Sequence, residues 1–203
     1  MDPEPLVFVV DDDLIVLRAL DRLLRSAGHT VQTFSSPRAF LEQLPHDGPA
    51  CLVLDLRMPE LSGLDVQEQL ALKGTPMPII FFSGASNVSA TAQAMRKGAK
   101  DFLVKKVDDV ALLDAVSGAL EAAVEKHRSR REEDEHSRRL ARLTKRERQV
   151  CDQVARGLLN KQIASELGMS EKTVKVHRGR VMRKLDVDSV AALVWLLSRV
   201  PRS

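Results

Sequence analysis

Three short, nearly continuous apolar runs mark the first half of the chain: "LVFVV" (6–10), "CLVLD" (51–55) and "MPIIFFS" (77–83). Each has the length and composition of a strand buried on both faces. "TVQTF" (30–34) and "DFLVK" (101–105) are weaker strands at the same spacing. Between them the period changes. Leu14, Leu17, Leu20 and Leu24 fall at helical intervals, with Gly28 as the stop. "SPRAFLEQL", "LDVQEQLALKG" and "NVSATAQAMRKG" repeat the helical pattern, the last two closing on glycine. Five alternations of strand and helix predict an α/β fold, a doubly wound parallel five-stranded sheet with helices on both faces. In such sheets functional groups gather beyond the carboxyl ends of the strands.

The second half carries no strand pattern. "EAAVEKHRSRREEDEHSRRLARL" (121–143) lacks Gly and Pro, is densely charged, and continues the periodicity of Val110, Leu113, Val116 and Leu120. Mixed charges at helical spacing predict one long fifth helix that leaves the first domain as a linker, and apolar heptads are too sparse for a coiled coil. A disordered tether is the plainer alternative. In "LTKRERQV", Thr144 and Glu147 stand at capping-box spacing, so a helix is expected from Lys145, with Val150, Val154 and Cys151 inward and Gly157 at its end. Asn160 is the expected cap of "KQIASEL", which closes on Gly168. Ser170 is the expected cap of "EKTVKVHRGRVMRKL", with Val174, Val181 and Leu185 inward. "SVAALVWLLSRV" is apolar enough to complete a four-helix, all-α domain with Trp195 in or near its core. The expected domains are therefore 1–120, a linker over 121–142, and 143–203.

Charge sharpens the division. Residues 1–120 hold 11 Lys and Arg against 16 Asp and Glu; residues 121–203 hold 20 against 12. An acidic half joined to a basic half points the second domain toward a polyanion. Only 3% of the chain is aromatic and it has no Tyr, so its cores must be aliphatic. No unbroken apolar run is long enough to cross a bilayer. Cys51 and Cys151 sit in apolar patterns and read as reduced core residues of a cytoplasmic protein.

The strand ends carry the candidate chemistry. Asp55 is read as the last residue of the third strand, and Asp11, Asp12 and Asp13 follow the first. Carboxylates gathered in one cleft repel one another unless a cation joins them, and hard oxygen donors of this kind suit Mg²⁺. An aspartate beside Mg²⁺ can act as a nucleophile toward a phosphoryl group. One of the three, Asp13, fits helix capping instead. The fourth strand closes on Ser83, able to donate to a phosphoryl oxygen, and the fifth on Lys105, able to pair with a carboxylate or phosphate. In the second half, two short helices joined by a glycine-containing turn, the second rich in Lys and Arg, describe a helix-turn-helix able to lie in the major groove. An ordinary helical hairpin with a solvated basic face fits the composition equally well.

With "VVDDD", "LDLRMPELSG", "FFSG" and "FLVKK" in order, residues 1–120 resemble the flavodoxin-like receiver domain of bacterial two-component response regulators. The resemblance implies that Asp55 is the phosphoacceptor and that Asp11 and Asp12 form the acidic pair. It further implies that Asp12, Asp55 and the backbone carbonyl of Arg57 hold Mg²⁺ or Mn²⁺, that Ser83 and Lys105 bind the phosphoryl group, and that Phe102 is a switch aromatic. Two positions depart from the pattern. Lys106 stands where receivers usually have a proline, commonly preceded by a cis bond. A cis bond before a non-proline costs roughly 2.5–4 kcal/mol, so either the turn is trans with Lys105 aimed differently or strain is held there. "SGASNVS" replaces the usual loop after the fourth strand.

Residues 143–200, through "LTKRERQV", "GLLNKQIASELGMSEKTVKVHRGRVMRKL" and "VDSVAALV", are similar to the LuxR-type helix-turn-helix of FixJ/NarL regulators, in wording nearest the FixJ/StyR-like branch. That implies base-facing Lys175 and Val176, and phosphate or base contacts from Lys172, Thr173, Arg178 and Lys184, with His177 a further site member. Gly179 departs from the longer polar side chain some relatives use for base contact; Arg178 or Arg180 then takes it.

These expectations converge on a regulator of transcription. A sensor histidine kinase phosphorylates Asp55, the phosphorylated form is a homodimer, and that dimer binds double-stranded DNA. RNA polymerase is an expected further partner and activation the expected outcome. The alternative is a phosphorylation-independent DNA-binding factor with an atypical receiver. An aspartyl-phosphate hydrolase is disfavoured because Arg57 stands where such enzymes place a second acid. A small-molecule-sensing regulator is disfavoured by the acidic cleft, since such pockets are apolar.

Overall fold

A computed structural model describes residues 3–75, 77–84 and 88–199. The chain divides into two compact units, residues 1–128 and 129–203. The first contains five parallel strands, β1 (Leu6–Val10), β2 (Thr30–Phe34), β3 (Ala50–Leu54), β4 (Ile79–Ser83) and β5 (Asp101–Val104), in the order β2-β1-β3-β4-β5. Alternating with them are α1 (Leu14–Ser26), α2 (Pro37–Glu42), α3 (Gly63–Leu72), α4 (Val88–Arg96) and the start of α5 (Asp109–Ala141). The doubly wound sheet is as the hydrophobic pattern predicts.

The two-residue period of the strands builds two cores. Val7, Val9, Cys51, Val53, Ile80 and Phe82 face α1 and α5, meeting Leu17, Leu20, Leu24, Leu112 and Val116. Phe8, Val10, Leu52, Leu54, Ile79 and Phe81 face the other way, with Phe40, Val66, Leu70 and Ala94. Because both faces are covered, the strands read as unbroken apolar runs. Burial raises the Cys51 thiol to about 12, consistent with an unreactive core residue.

Strand ends differ from expectation by one residue at the edge that matters. β3 ends at Leu54 and β5 at Val104, so Asp55 and Lys105 lie just past the strands. The ladder nonetheless continues: Asp11 N–H donates to Phe34 O (3.1 Å), Asp55 N–H to Val10 O (2.9 Å) and Lys105 N–H to Ser83 O (2.8 Å). Gly63 begins α3, and its N–H donates to Leu56 O at 2.9 Å. A Cβ there would collide with the Asp55 carbonyl oxygen and come within 2.9 Å of the Phe81 ring. Only glycine lets α3 start against the backbone of Asp55.

The second unit contains α6 (Lys145–Ala155), α7 (Asn160–Leu167), α8 (Glu171–Leu185) and α9 (Val190–Ser198), packed around Val150, Cys151, Val154, Ile163, Val174, Val181, Leu185, Leu193 and Leu196, together with Leu140 of α5. The expected linker, 121–142, is helical up to Ala141 as part of α5, and the division between the units falls within it. Thr144 and Glu147 form the expected capping box. Asn160 is not the cap of α7: Leu159 holds that place, and Gln162 Oε1 accepts its N–H at 2.8 Å, leaving Asn160 as the first helical residue. Gly168 closes α7 with φ 63°, the left-handed conformation that glycine adopts without cost. Ser170 caps α8 by accepting from Thr173 N–H. Trp195 lies outside the core at 52% exposure, its ring edge-on to His136 and under the Arg199 guanidinium. The neighbouring Leu193 and Leu196 occupy the inward positions instead.

Buried Glu147 carries more than its cap. It accepts from Lys184 Nζ at 2.6 Å and from Thr144 N–H at 2.8 Å, and these bonds, Lys184 first, hold its carboxyl down at about 2 against an ordinary 4.5. A folded value below the unfolded one stabilises fully above about pH 4.5, and the gain disappears as pH falls toward 2. The second unit of Lys184→Met should therefore be less stable by about 2 kcal/mol at neutral pH and lose less on acidification, as followed by chemical denaturation of the full chain across pH. By the same measurement, Gly63→Ala should cost the first unit about 1–3 kcal/mol, the usual range for overpacking.

Candidate functional site

Four strand ends meet at the carboxyl edge of the sheet. Asp11 and Asp55 are buried there, at 1% and 5% exposure, and Ser83 is equally enclosed. The Lys105 ammonium joins the two acids, 2.6 Å from Asp11 Oδ2 and 3.1 Å from Asp55 Oδ1. Burial raises the Asp11 pKa, while the bonds from Lys105 and the Asp13 N–H oppose it. For Lys105, burial alone would favour the neutral amine, but the bonds to Asp11 and Asp55 together outweigh it and raise the pKa. The lysine is thus a fixed cation between two carboxylates.

Backbone groups orient the remaining lone pairs. Asp11 Oδ1 accepts from Asp13 N–H at 3.0 Å, and Asp55 Oδ2 from Arg57 N–H at 2.8 Å. Asp13 caps α1 by accepting from Ile15 N–H, the role its position suggests. Asp12 is exposed and is not drawn into the cluster. The expected convergence of three acids is therefore a convergence of two on a lysine, and no group of three metal-ligating side chains is assembled among the described residues.

The Lys105–Lys106 bond is trans, since the cis bond among the described residues is Leu44–Pro45. The expectation that a trans turn would aim Lys105 elsewhere does not hold. Its N–H is fixed to β4, Val107 N–H closes the turn on Val104 O at 2.9 Å, and the long side chain reaches both acids. Phe102 is half-buried and stacks on Phe81, with ring centroids 5.9 Å apart. Phe81 in turn borders Gly63, so the aromatic pair continues into the turn after Asp55. Of the unusual stretch singled out after the fourth strand, 83–89, Ser83 ends β4 and Val88 begins α4, while 85–87 lie outside the described residues.

In the second unit, α8 sorts its cations by face. Val174, Val181 and Leu185 are buried, and Arg178 lies on the same stripe at helical spacing. Lys172, Thr173, Lys175, Val176, Gly179, Arg180 and Arg183 are exposed. Arg183 was missed by sequence reasoning, although its position seven residues after Val176 places it on the same outer face. Two expected DNA contacts are engaged within the domain. Lys184 binds Glu147 and donates to Arg142 O at 3.1 Å, and Arg178 Nη1 donates to Asn160 Oδ1 at 3.2 Å. His177 is half-buried, its Nδ1 enclosed without a hydrogen-bond partner.

Comparison with known proteins agrees with this division. Residues 7–117 match the response regulator receiver domain, and residues 141–197 match the luxR family of bacterial regulatory proteins. The response regulator TodT of Pseudomonas putida is 43% identical over 202 residues, covering all of this chain and 89% of that protein. Nodulation protein W of Bradyrhizobium diazoefficiens is 46% identical over 193 residues, covering 93% of this chain and 83% of that protein. Among solved structures, the response regulator StyR superposes with a TM-score of 0.92 at 45% identity, covering 97% of this chain and all of that one. Full-length FixJ from B. japonicum gives 0.59 at 35% identity, covering 98% of each. The two matched families, response regulator receivers and luxR-type bacterial regulatory proteins, are non-enzymatic, which removes the hydrolase reading. A lysine-bridged acidic edge in one unit, a helix-turn-helix in the other and likeness along the whole chain place this protein among the two-component response regulators that regulate transcription through a LuxR-type DNA-binding domain.

Proposed function

We propose that a sensor histidine kinase phosphorylates Asp55 in the cytoplasm, and that this mark promotes a homodimer whose helix-turn-helix domains bind sequence-specific DNA and activate transcription. The support is the convergence of Asp11 and Asp55 on Lys105 beside buried Ser83. Asp55 has one oxygen on the Arg57 amide and the other on a displaceable cation, so a lone pair becomes available when the lysine shifts. That oxygen forms the new bond to phosphorus as the bond to the kinase histidine breaks. Lys105 then follows the charge to a phosphoryl oxygen, and the Ser83 hydroxyl donates to another. Phe102 reorients as Ser83 moves, biasing a two-state equilibrium.

Receiver domains generally bind Mg²⁺ at the acidic phosphorylation site. Two buried carboxylates, Asp11 and Asp55, are hard oxygen donors already gathered on one cation, and the Arg57 carbonyl would join them; Asp12, exposed beside them, would complete the set only by turning inward. Bound there, Mg²⁺ or Mn²⁺ would neutralise charge on the transferring phosphoryl group.

On the DNA side, Lys175 and Val176 would face bases, flanked by Lys172, Thr173 and Arg180. The outward row of α8 supports this assignment, with its buried stripe turned to the domain core. Dimerisation would link two weak binding events, and contact with RNA polymerase would follow on the promoter.

A phosphoryl donor with Mg²⁺ should add one phosphoryl group to the wild type and none to Asp55→Asn, read by intact-mass spectrometry; equal labelling of the variant would remove the assignment. Lys175→Ala should weaken DNA binding about tenfold and flatten its dependence on salt, measured by fluorescence anisotropy across a salt series. An unchanged curve would count against the groove assignment, and Asp55→Ala binding as tightly as phosphorylated wild type would favour phosphorylation-independent control.

A further inference from the structure

The engagement of Arg178 is not what folding alone would select. Its stem lies on the buried stripe of α8, and its guanidinium emerges at the first turn of α7, where Nη1 donates to Asn160 Oδ1 at 3.2 Å. Asparagine near a helix start ordinarily caps backbone N–H groups. Here Leu159 holds the cap position and Asn160 is the first helical residue, so its side-chain oxygen is not used as a cap and accepts from the arginine instead. The N-terminal end of a helix carries partial positive charge, and a guanidinium placed there is unfavourable unless an anion joins it. Lys161, exposed in the same turn, adds a second cation. Among the described residues no acidic side chain lies within ion-pair distance of Arg178 or Lys161.

Resting on the DNA-binding reading above, we infer that Asn160 is a positioning residue: it holds the Arg178 guanidinium at the junction of α7 and α8, where that guanidinium binds a backbone phosphate rather than a base. The planar fork of arginine suits the arrangement, since one N–H is fixed by Asn160 while others remain to donate to phosphate oxygens. Arg178 would then contribute affinity independent of sequence and fix the angle at which α8 enters the groove. Lys175 and Val176 carry the sequence reading.

Asn160→Asp separates this role from a merely structural brace. Aspartate keeps the acceptor, is favoured in a first helical turn, and turns the bridge into an ion pair, so a brace would be preserved or strengthened. Bound to the carboxylate, however, the guanidinium loses its net charge toward phosphate. The full chain is titrated against a mixed-sequence duplex across a salt series, with thermal unfolding in parallel. The expected result for Asn160→Asp is a thermal midpoint at or above wild type, binding about tenfold weaker at low salt, and a log–log salt slope smaller by about one. Arg178→Gln keeps a donor for Asn160 and removes the charge, and should give the same loss. If wild type binds with normal salt dependence and both variants match it in affinity and slope, Arg178 is only a brace and the inference falls alone. If wild type shows no salt-dependent binding, the DNA-binding reading falls and takes this one with it.

Discussion

The ammonium of Lys105 is the interaction on which the first unit's active edge depends. Two carboxylates buried side by side cannot both stay ionised without a partner, because desolvation and mutual repulsion each favour the protonated form. Asp11 shows the tension, with a pKa raised by burial despite its bonds. A cation at 2.6 and 3.1 Å resolves it. The lysine could not hold that position from a loose loop. It does so because its N–H is still bonded to β4, one residue past the last strand, as the N–H groups of Asp11 and Asp55 are bonded to β2 and β1. The parallel sheet therefore fixes three charged side chains on one edge, with their tips in contact.

The second unit uses the same device, a lysine on a buried acid, for the opposite purpose. Lys184 and Glu147 tie α8 to the start of α6, with the carboxylate buried and the ammonium also donating to Arg142 O. Basic residues on α8 thus divide by helical position. Those on the outer face are solvent-exposed, Lys184 is held by Glu147 within the domain, and Arg178 is held by Asn160 through one N–H of its fork. A count of cations along the helix overstates the binding surface, and the spacing from Val174, Val181 and Leu185 corrects it.

Much of this was legible in the sequence, for identifiable reasons. The parallel sheet could be read because strands covered on both faces are continuously apolar. The cap at Thr144 could be read because its partner Glu147 lies at a fixed offset. What escaped were facts that depend on neighbours distant in sequence. Trp195 is apolar in a strongly apolar helix, yet the inward positions belong to Leu193 and Leu196, and with nine helical residues the pattern does not select a face. Asn160 has the right chemistry for a cap, but the helix starts one residue earlier than its position suggests, with Leu159 at the cap and Asn160 already inside the first turn. The acids at the sheet edge were found, and Lys105 as a cation able to pair with them; that Asp12 would stay outside while Lys105 occupies the space between Asp11 and Asp55 was not, because it depends on neighbours distant in sequence.

That occupancy has a consequence for how a phosphoryl group could act as a signal. Asp11 and Asp55 bring two negative charges to one lysine. Phosphorylating Asp55 converts its carboxylate to an acyl phosphate, which removes the carboxylate charge and adds a phosphoryl group worth about −1.5 to −2, so the edge would become more negative while its resident cation is unchanged. Lys105 can no longer satisfy both partners at their present distances. Either it leaves Asp55 for the phosphoryl oxygens, or further positive charge must enter. Each outcome relocates a side chain anchored on β5, directly after the strand that carries Phe102 and beside the aromatic stack with Phe81. Close-packed rings do not yield continuously, so a shift there favours one of two discrete packings. On the reading that Asp55 is the phosphoacceptor, the charge imbalance rather than the size of the new group would be the signal.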